Sequence, residues 1–237
     1  MQTAIVIPTY NERENLDDLI KRVFAQDLPD LGIIFVDDNS ADGTREFIEK
    51  LIQRHPVTLI SRPKKLGLGS AYVTGFQRAL TTGAEFILEM DADLSHAPED
   101  LPQILKAAKE GADVVIGSRK IPGGRIVGWN LWRRITSDGA MFFARLVLNL
   151  KTRDVTAGFR CYRRLALEKI DFNRINSSGY AFQEEMIFRM ERMGCKIQEI
   201  PVTFVDRKFG QSKLSWREAA EFFKVMFKLK FCGKKAP

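Results

Sequence analysis

The feature that most constrains the fold is a regular alternation of short apolar runs with amphipathic segments over residues 1–118. The apolar runs are typical of buried strands, and the segments between them carry apolar residues at helical spacing. The predicted strands are Thr3–Ile7, Gly32–Val36, Val57–Ser61, Glu85–Met90 and Val114–Ile116, and the predicted helices are Asn15–Ala25, Thr44–Gln53, Ala71–Leu80 and Pro98–Lys109. This order predicts an α/β fold: a doubly wound, mostly parallel sheet with helices on both faces.

The rest of the chain continues the pattern without a linker, a repeat or a low-complexity segment. Its predicted helices cover about 130–149, 162–168, 181–193 and 215–231, and its predicted strands are Thr156–Tyr162 and Ile197–Val205. We therefore expect residues 1–237 to form a single domain.

Charge is distributed unevenly along the 237 residues. Residues 1–118 hold 12 basic and 19 acidic side chains, whereas residues 119–237 hold 25 and 11, so the two parts carry −7 and +14. A basic half of this kind can face nucleic acid, a phosphorylated ligand or an anionic membrane surface, or it can be an ordinary solvated surface.

Several classes of protein are disfavoured by the sequence. No apolar run approaches the ~20 residues that span a bilayer, and the N-terminus has no basic lead of the secretory type. The three cysteines form no CxxC pair, which favours a reducing compartment over disulfides or zinc. The glycine-rich motifs of dinucleotide cofactor sites and of ATPase phosphate loops are missing.

Acidic residues follow the predicted strands, where ligands of such sheets bind. Asp91 and Asp93 come directly after the fourth strand. Two carboxylates at this spacing suit Mg²⁺ or Mn²⁺ held jointly with a nucleotide diphosphate, although the same residues could cap the next helix. Asp37 and Asp38 end the second strand, where they could bind a ribose or base or form an Asx turn.

Basic residues cluster in two places in the second half. Arg119, Arg125, Arg133 and Arg134 lie within sixteen residues, and arginine suits bidentate recognition of phosphate. A glycine-containing loop with Arg207, Lys208 and Lys213 could close over a diphosphate or remain a solvated surface loop. His55 and His96, the two histidines, have no serine or cysteine partner pattern.

The C-terminal segment 216–231 interleaves phenylalanines with lysines. This pattern is typical of a helix lying on a membrane with its lysines reaching anionic headgroups. A second apolar stripe occupies 139–150. The alternative for both segments is packing against the core of the protein itself.

Taken in order, these motifs closely resemble one family over about residues 3–230. They are IPTYNERENL (7–16), VDDNSADGT (36–44), GLGSAYVTGF (67–76), MDADLSH (90–96), GSR (117–119), TAGFRCYRR (156–164), FQEEM (182–186) and the loop at 207–214. The resemblance is to the dolichol-phosphate (polyprenol) mannose synthases of the inverting family-2 glycosyltransferases. It implies a GT-A fold and transfer of mannose from GDP-mannose to a polyprenyl or dolichyl phosphate, giving polyprenyl β-D-mannosyl phosphate and GDP.

The resemblance also assigns roles to residues. It implies a guanosine-binding wall at Pro8, Tyr10, Glu12, Val36 and Asp38; a diphosphate and Mg²⁺ or Mn²⁺ site at Asp91, Ala92 and Asp93; acceptor-phosphate contacts at Arg119, Arg133 and Ser137; and a closing loop that grips GDP with Arg207 and Lys213. Arg119 is expected to touch both substrates, and Asp93, Arg119 and Arg133 to serve catalysis.

Ser95 stands where some members have a glutamine metal ligand, so both direct ligation of the metal by Ser95 and a bridging water stay open. Glu185 stands near the base of related enzymes with hydroxyl acceptors, and we expect it to be structural or orienting.

The implied organisation is a nucleotide-sugar-binding half (1–118), an acceptor half with the closing loop (119–214) and an amphipathic helix (215–231). The C-terminal transmembrane helices of many relatives are missing, so we expect a cytoplasmic protein peripheral to a membrane. The membrane would be the plasma membrane of a prokaryote or the endoplasmic reticulum of a eukaryote, reached by surface contact or through a separate anchoring subunit.

Two other functions stay open at this point. One is the use of another donor, such as UDP-glucose, with the same lipid acceptor. The other is a basic nucleic-acid-binding module, which would leave the acidic strand ends unexplained, so no nucleic acid partner is expected.

Overall fold

The computed structural model describes residues 1–175, 177, 179, 181–206 and 216–232, without the side chains of 216–220 and 232. Its strands are β1 (Thr3–Thr9), β2 (Leu31–Asp37), β3 (Val57–Ser61), β4 (Phe86–Glu89), β5 (Val114–Ser118), β6 (Arg125–Val127), β7 (Arg160–Arg163), β8 (Ile197–Pro201) and β9 (Thr203–Val205). Its helices are α1 (Arg13–Phe24), α2 (Thr44–Ile52), α3 (Leu68–Thr81), α4 (Leu101–Lys109), α5 (Leu131–Leu148), α6 (Arg164–Leu167), α7 (Phe182–Arg192) and α8 (Trp216–Cys232).

The central sheet has seven strands in the order β3-β2-β1-β4-β7-β5-β8. Strand β7 runs antiparallel to both β4 and β5, and the other neighbours are parallel. The second half of the chain therefore completes the same sheet with β7 and β8. The predicted doubly wound, mostly parallel architecture is confirmed.

Two apolar clusters cover the two faces of the sheet. Successive residues of a strand point to opposite faces, so Val6 belongs to one cluster and Ile5 to the other. Helices α3, α5, α7 and α8 contribute to the first cluster, and α1, α2 and α4 to the second. The helices expected on both faces are thus present.

The predicted strand Ile197–Val205 is wrong in one respect, because the chain leaves the central sheet at Val202. The Val202 amide donates to the Ser118 carbonyl at 3.1 Å, while its own carbonyl accepts from the Arg125 amide at 3.0 Å. The chain therefore passes into a second, two-stranded parallel sheet of β6 and β9, which the sequence pattern does not predict. The strand predicted at Thr156–Tyr162 begins only at Arg160.

Two helix starts matter for the site. Asn130 caps α5, because its Oδ1 accepts from the Arg133 amide at 2.8 Å, and this fixes Arg133 on the first turn. At the start of α2 the Asp42 carboxylate accepts from the Thr44 amide at 3.0 Å, although Gly43 is the residue at the cap position.

Candidate active site

A pocket of about 220 Å³ opens at the carboxyl ends of β1, β2 and β4. The ends of parallel strands meet at one edge of the sheet, which is why residues far apart in the chain converge here. The residues that line the pocket include seven of those assigned to donor or metal: Pro8, Tyr10, Glu12, Asp38, Asp91, Ala92 and Asp93. The predicted donor half of the site is therefore brought together around one cavity.

Asp38 shapes the wall of this pocket. Its carboxylate is paired with the buried guanidinium of Arg62 and accepts from the amides of Leu66 and Gly67 at 3.1 and 3.3 Å. These bonds pin the segment before α3 to the end of β2. The predicted contact of Asp38 with the donor stays a prediction.

Val36 is not among the residues that line the pocket, unlike its partners in the predicted guanosine-binding wall. The Val36 side chain is fully buried and points towards α3: it lies so near Gly75 of that helix that a Cβ added to Gly75 would be 3.3 Å from Val36 Cγ2.

The neighbouring Asp37 accepts from the Thr9 hydroxyl at 3.0 Å and from the Ser40 amide at 3.0 Å. Asp37 therefore organises a turn, as in the Asx alternative for this motif.

The turn after β4 holds Asp91 and Asp93 in a defined conformation. The Tyr72 hydroxyl donates to Asp91 Oδ1 at 2.8 Å, and His96 Nδ1 accepts from the Asp91 amide at 3.2 Å. Asp93 Oδ1 accepts from the Ser95 amide at 3.0 Å. Both carboxylates line the same pocket.

The carboxylate oxygens of Asp91 and Asp93 fit a divalent cation whose coordination shell is completed by a bound ligand. Within the described part of the chain, no three acidic, histidine or cysteine residues form a metal-binding group. Magnesium is commonly held by one or two carboxylates, with phosphate oxygens and water completing the shell. Ser95 Oγ is buried with no hydrogen-bond partner among the described atoms, but Ser95 is not among the residues lining the pocket.

His96 supports this turn from below. Its ring stacks on Phe159 with the centroids 5.0 Å apart, and burial lowers its pKa even though Asp91 and Asp93 act in the opposite direction. The neutral ring can accept from the Asp91 amide, which implies that the proton is on Nε2. The sequence pattern around His96 does not predict this role.

A buried ionic group lies beneath the turn. The fully buried Arg160 places Nε 3.4 Å from Glu89 and donates to the carbonyls of Gln183 and Val155 at 3.0 and 2.9 Å. Burial raises the pKa of Glu89 to about 7 and that of Glu184 to about 8. Arg160 thereby ties β4 to α7 and to the loop before β7.

The two arginines assigned to the acceptor phosphate lie around Trp129. The Cζ atoms of Arg119 and Arg133 are 5.8 and 4.4 Å from the centroid of its ring system. Phe204 connects this group to His96 beside the turn after β4, since its ring centroid is 5.6 Å from that of Trp129 and 5.9 Å from that of His96.

Each of these arginines faces a carboxylate. Arg119 donates through Nε and Nη2 to Asp154 at 2.8 and 2.7 Å, and Nη2 also donates to Thr156 at 2.7 Å. Burial opposes the ionisation of Asp154, but the hydrogen bonds and charge of Arg119 outweigh it and hold the pKa of Asp154 below its ordinary value. Arg133 is paired with Asp206.

Ser137 lies on α5, four residues after Arg133 and hence one turn further along the same face. Arg207 and Lys213 lie outside the described residues. Lys65 was not predicted, yet it lines the pocket with Nζ 4.2 Å from the centroid of the Tyr10 ring.

Glu185 is fully buried in α7. Its Oε2 accepts from the Ser177 hydroxyl at 2.6 Å, and its Oε1 accepts from Arg189 Nη2 at 2.6 Å. This arrangement supports the structural role expected for Glu185.

The chain is similar in sequence to known glycosyltransferases. The profile of "Glycosyl transferase family 2" matches residues 4–171. Polyprenol monophosphomannose synthase of Mycolicibacterium smegmatis is 43% identical over 230 residues, which cover 96% of this chain and 85% of the relative. Undecaprenyl-phosphate mannosyltransferase of Micrococcus luteus is 43% identical over 216 residues, covering 91% of this chain and 88% of the relative.

Solved structures share the fold at lower identity. The mannosyltransferase PcManGT of Pyrobaculum calidifontis, in complex with GDP-Man and Mn²⁺, has a TM-score of 0.66 at 19% identity and covers 100% of this chain, which spans 66% of that longer one. Glucosyl-3-phosphoglycerate synthase of Mycobacterium tuberculosis, with Mn²⁺, UDP and phosphoglyceric acid, has a TM-score of 0.68 at 17% identity, covering 100% of this chain and 79% of that one. The expected GT-A fold is confirmed.

Proposed function

The chain belongs to glycosyl transferase family 2, and on this premise we propose that it transfers mannose from GDP-mannose to a polyprenyl phosphate. The products are polyprenyl β-D-mannosyl phosphate and GDP. The observation that carries the proposal is 43% identity, over 96% of the chain, to an enzyme named polyprenol monophosphomannose synthase.

The pocket at the ends of β1, β2 and β4 is proposed to bind the donor. Tyr10 and Pro8 offer flat surfaces for the base, and the Glu12 carboxylate can accept from the N–H groups of guanine. Lys65, on the same wall, is placed to meet a carbonyl of the base or an oxygen of the diphosphate. Arg207 and Lys213 are proposed to complete the grip on GDP.

Asp91 and Asp93 are proposed to hold Mg²⁺ or Mn²⁺ together with the diphosphate, and Asp93 to be the principal ligand. The bound cation would offset the negative charge that develops on GDP as it leaves. The protein contributes the two carboxylates and the fixed turn that carries them. Two mannose- or glucose-transferring neighbours of the same fold were solved with Mn²⁺, which supports this assignment.

Arg119, Arg133 and Ser137 are proposed to hold the acceptor phosphate. This phosphate is already ionised near neutral pH, so it can attack the anomeric carbon without losing a proton to a base. The protein therefore supplies positioning and charge compensation rather than proton abstraction. Attack from the face opposite GDP inverts the configuration and gives the β-linked product.

The outer surface of α5 and α8 is proposed to contact the membrane. In α8, Val225, Met226 and Leu229 are buried in the core, whereas Phe223, Phe227 and Phe231 are exposed. On α5 the exposed apolar residues are Leu131, Trp132, Ile135, Phe142 and Leu146. The two helices are joined through Phe143, whose ring centroid is 5.0 Å from that of Phe223.

This surface, which we call the α5–α8 face, has the composition of an interfacial site. Lys224, Lys228 and Lys230 lie on the same helix as its phenylalanines and suit anionic headgroups. Arg133 and Ser137 lie on α5, so the acceptor phosphate would bind near headgroup depth. Among the described helices none is long and apolar enough to cross a bilayer. From the composition of the α5–α8 face, we propose that the protein lies peripherally at the cytosolic face of a membrane, with or without an anchoring subunit.

The test is incubation of the purified chain with radiolabelled GDP-mannose, Mg²⁺ and a polyprenyl phosphate, followed by organic extraction. Label in the organic phase that requires the lipid acceptor supports the proposal. A parallel incubation with radiolabelled UDP-glucose tests the other donor. Transfer from UDP-glucose but not from GDP-mannose would overturn the assignment of GDP-mannose as the donor.

A further inference from the structure

Tyr72 lies at the junction between the core and the proposed metal site. It belongs to α3, its side chain is completely buried, and its hydroxyl donates to Asp91 Oδ1 at 2.8 Å. Neither the sequence motifs nor the comparisons assign it a role.

The ring of Tyr72 is held firmly in place. It stacks on Phe182 with the centroids 5.9 Å apart and the planes 7° from parallel, and it also stacks on Phe76 at 5.9 Å. Phe182 begins α7 and Phe76 lies one turn after Tyr72 on α3, so two helices fix the position of the hydroxyl.

Asp91 is thereby held at two points. Its backbone amide is bonded to His96, while its carboxylate is bonded to Tyr72. Asp93 differs, because its carboxylate accepts from an amide within its own turn, that of Ser95. The Asp91 carboxylate therefore depends on a side chain from the helical layer.

We propose that Tyr72 is a positioning residue that sets the Asp91 carboxylate for a divalent cation bound with a nucleoside diphosphate. The inference rests on the proposed function, since it takes the metal to bind at Asp91 and Asp93. A carboxylate that is already oriented loses less rotational freedom when it binds a cation. The protein partners of ligating carboxylates commonly change metal affinity by about 10- to 100-fold when they are removed.

The first experiment compares wild type with Tyr72→Phe, which removes the hydroxyl and keeps the stacked ring. Binding of Mn²⁺ in the presence of GDP is measured by the electron paramagnetic resonance signal of free Mn²⁺. We expect about tenfold weaker Mn²⁺ binding, with an unchanged far-ultraviolet circular dichroism spectrum. Unchanged Mn²⁺ affinity would overturn the inference.

The matched control is Tyr162→Phe. Tyr162 is equally buried and packs edge-on against the same Phe76 at 5.4 Å, but its hydroxyl accepts from Arg160 Nη1 and donates to Glu89 Oε1, both at 3.4 Å, instead of donating to Asp91. We expect this variant to bind Mn²⁺ like wild type. An equal loss in both variants would show that any hydroxyl lost from this core weakens the site, and it would overturn the inference.

A double-mutant cycle with Asp91→Asn separates positioning from a general structural effect. If Tyr72 acts through Asp91, Tyr72→Phe should have little further effect on Mn²⁺ affinity in the Asp91→Asn background. Additive losses would contradict it. Binding of Mn²⁺ and GDP can be measured without any sugar transfer. A chain that binds both but transfers no mannose would therefore refute the proposed function, while the double-mutant cycle would still decide whether Tyr72 acts through Asp91.

Discussion

Arg133 Nη1 lies 3.0 and 2.9 Å from the two carboxylate oxygens of Asp206, at the end of the second sheet. The pair joins the first turn of α5 to the residue after β9. A carboxylate thus occupies the guanidinium that we propose for the acceptor phosphate. A phosphate that binds there must share Arg133 with Asp206 or displace it.

Asp206→Asn should therefore strengthen acceptor binding. Both partners are only about 30% exposed, yet an ion pair of this kind contributes about 1 kcal/mol or less, so the KM for a short polyprenyl phosphate should fall by about fivefold at most. The KM for GDP-mannose should not change. Steady-state kinetics with a soluble short-chain acceptor measures both constants.

The control for this variant is Asp18→Asn, which breaks the longer and more exposed pair of Asp18 with Arg22 on α1. It removes the same charge far from Arg133 in the chain and should leave both KM values unchanged. A higher acceptor KM in Asp206→Asn would show that Asp206 orients Arg133 for the phosphate instead of competing with it.

Asp93→Asn tests the proposed principal metal ligand. The substitution keeps the size of the side chain and removes its charge, and we expect turnover to fall by at least ~10²-fold at saturating Mg²⁺, as for removal of one charge-stabilising group elsewhere. Asp17→Asn, on the exposed surface of α1, is the control for loss of one charge. Activity of Asp93→Asn within about threefold of wild type would contradict the assignment.

The sequence predicted those parts of the fold and site that depend on local pattern. Strands β1, β2 and β4 are continuous apolar runs, and Asp91 and Asp93 follow one of them directly, so their place at the edge of the sheet could be inferred. Val36 shows the limit of this reasoning. Side chains alternate along a strand, and the motif alone did not indicate that this one faces the core.

The acceptor region was less predictable because its partners are distant in the chain. Asp154 is separated from Arg119 by 35 positions, and Asp206 from Arg133 by 73. Strands β6 and β9 have three residues each and are largely exposed, so they show no apolar periodicity. Their pairing with each other, rather than their own composition, places Phe204 beside Trp129.

Glu184→Gln should stabilise the protein increasingly as the pH rises. Burial raises the pKa of Glu184 from 4.5 to about 8, so the folded state retains a proton that the unfolded state has lost between these values. The free energy of unfolding of wild type should fall by up to about 1.4 kcal/mol per pH unit in that window on account of this group. Glutamine, which does not titrate, removes the penalty.

Urea unfolding from about pH 5 to about pH 8.5 measures the effect. The difference between Glu184→Gln and wild type should grow with pH, and by more than the difference between the exposed substitution Glu168→Gln and wild type. A constant difference for Glu184→Gln would mean that Glu184 is ionised in the folded protein.

The last prediction concerns the α5–α8 face. Phe223 and Phe227 are 47% and 49% exposed on α8, so replacing both with glutamate places charge on this face without emptying the core. The double variant should bind vesicles containing anionic lipid more weakly, because charged side chains are excluded from the acyl boundary. It should lose transfer to long polyprenyl phosphates in vesicles and retain transfer to short, soluble acceptors. Vesicle flotation and the two transfer assays measure these effects. If the lysines contribute, binding to anionic vesicles should weaken further at high salt.

Two further variants serve as controls for this prediction. Leu165→Glu alters an even more exposed apolar residue on α6 and should float like wild type, while Arg133→Ala should impair transfer to short and long acceptors alike and leave GDP-mannose binding nearly unchanged. If the double glutamate variant floats and works on vesicles like wild type, the exposed phenylalanines serve a protein partner or the fold, and the membrane is contacted elsewhere.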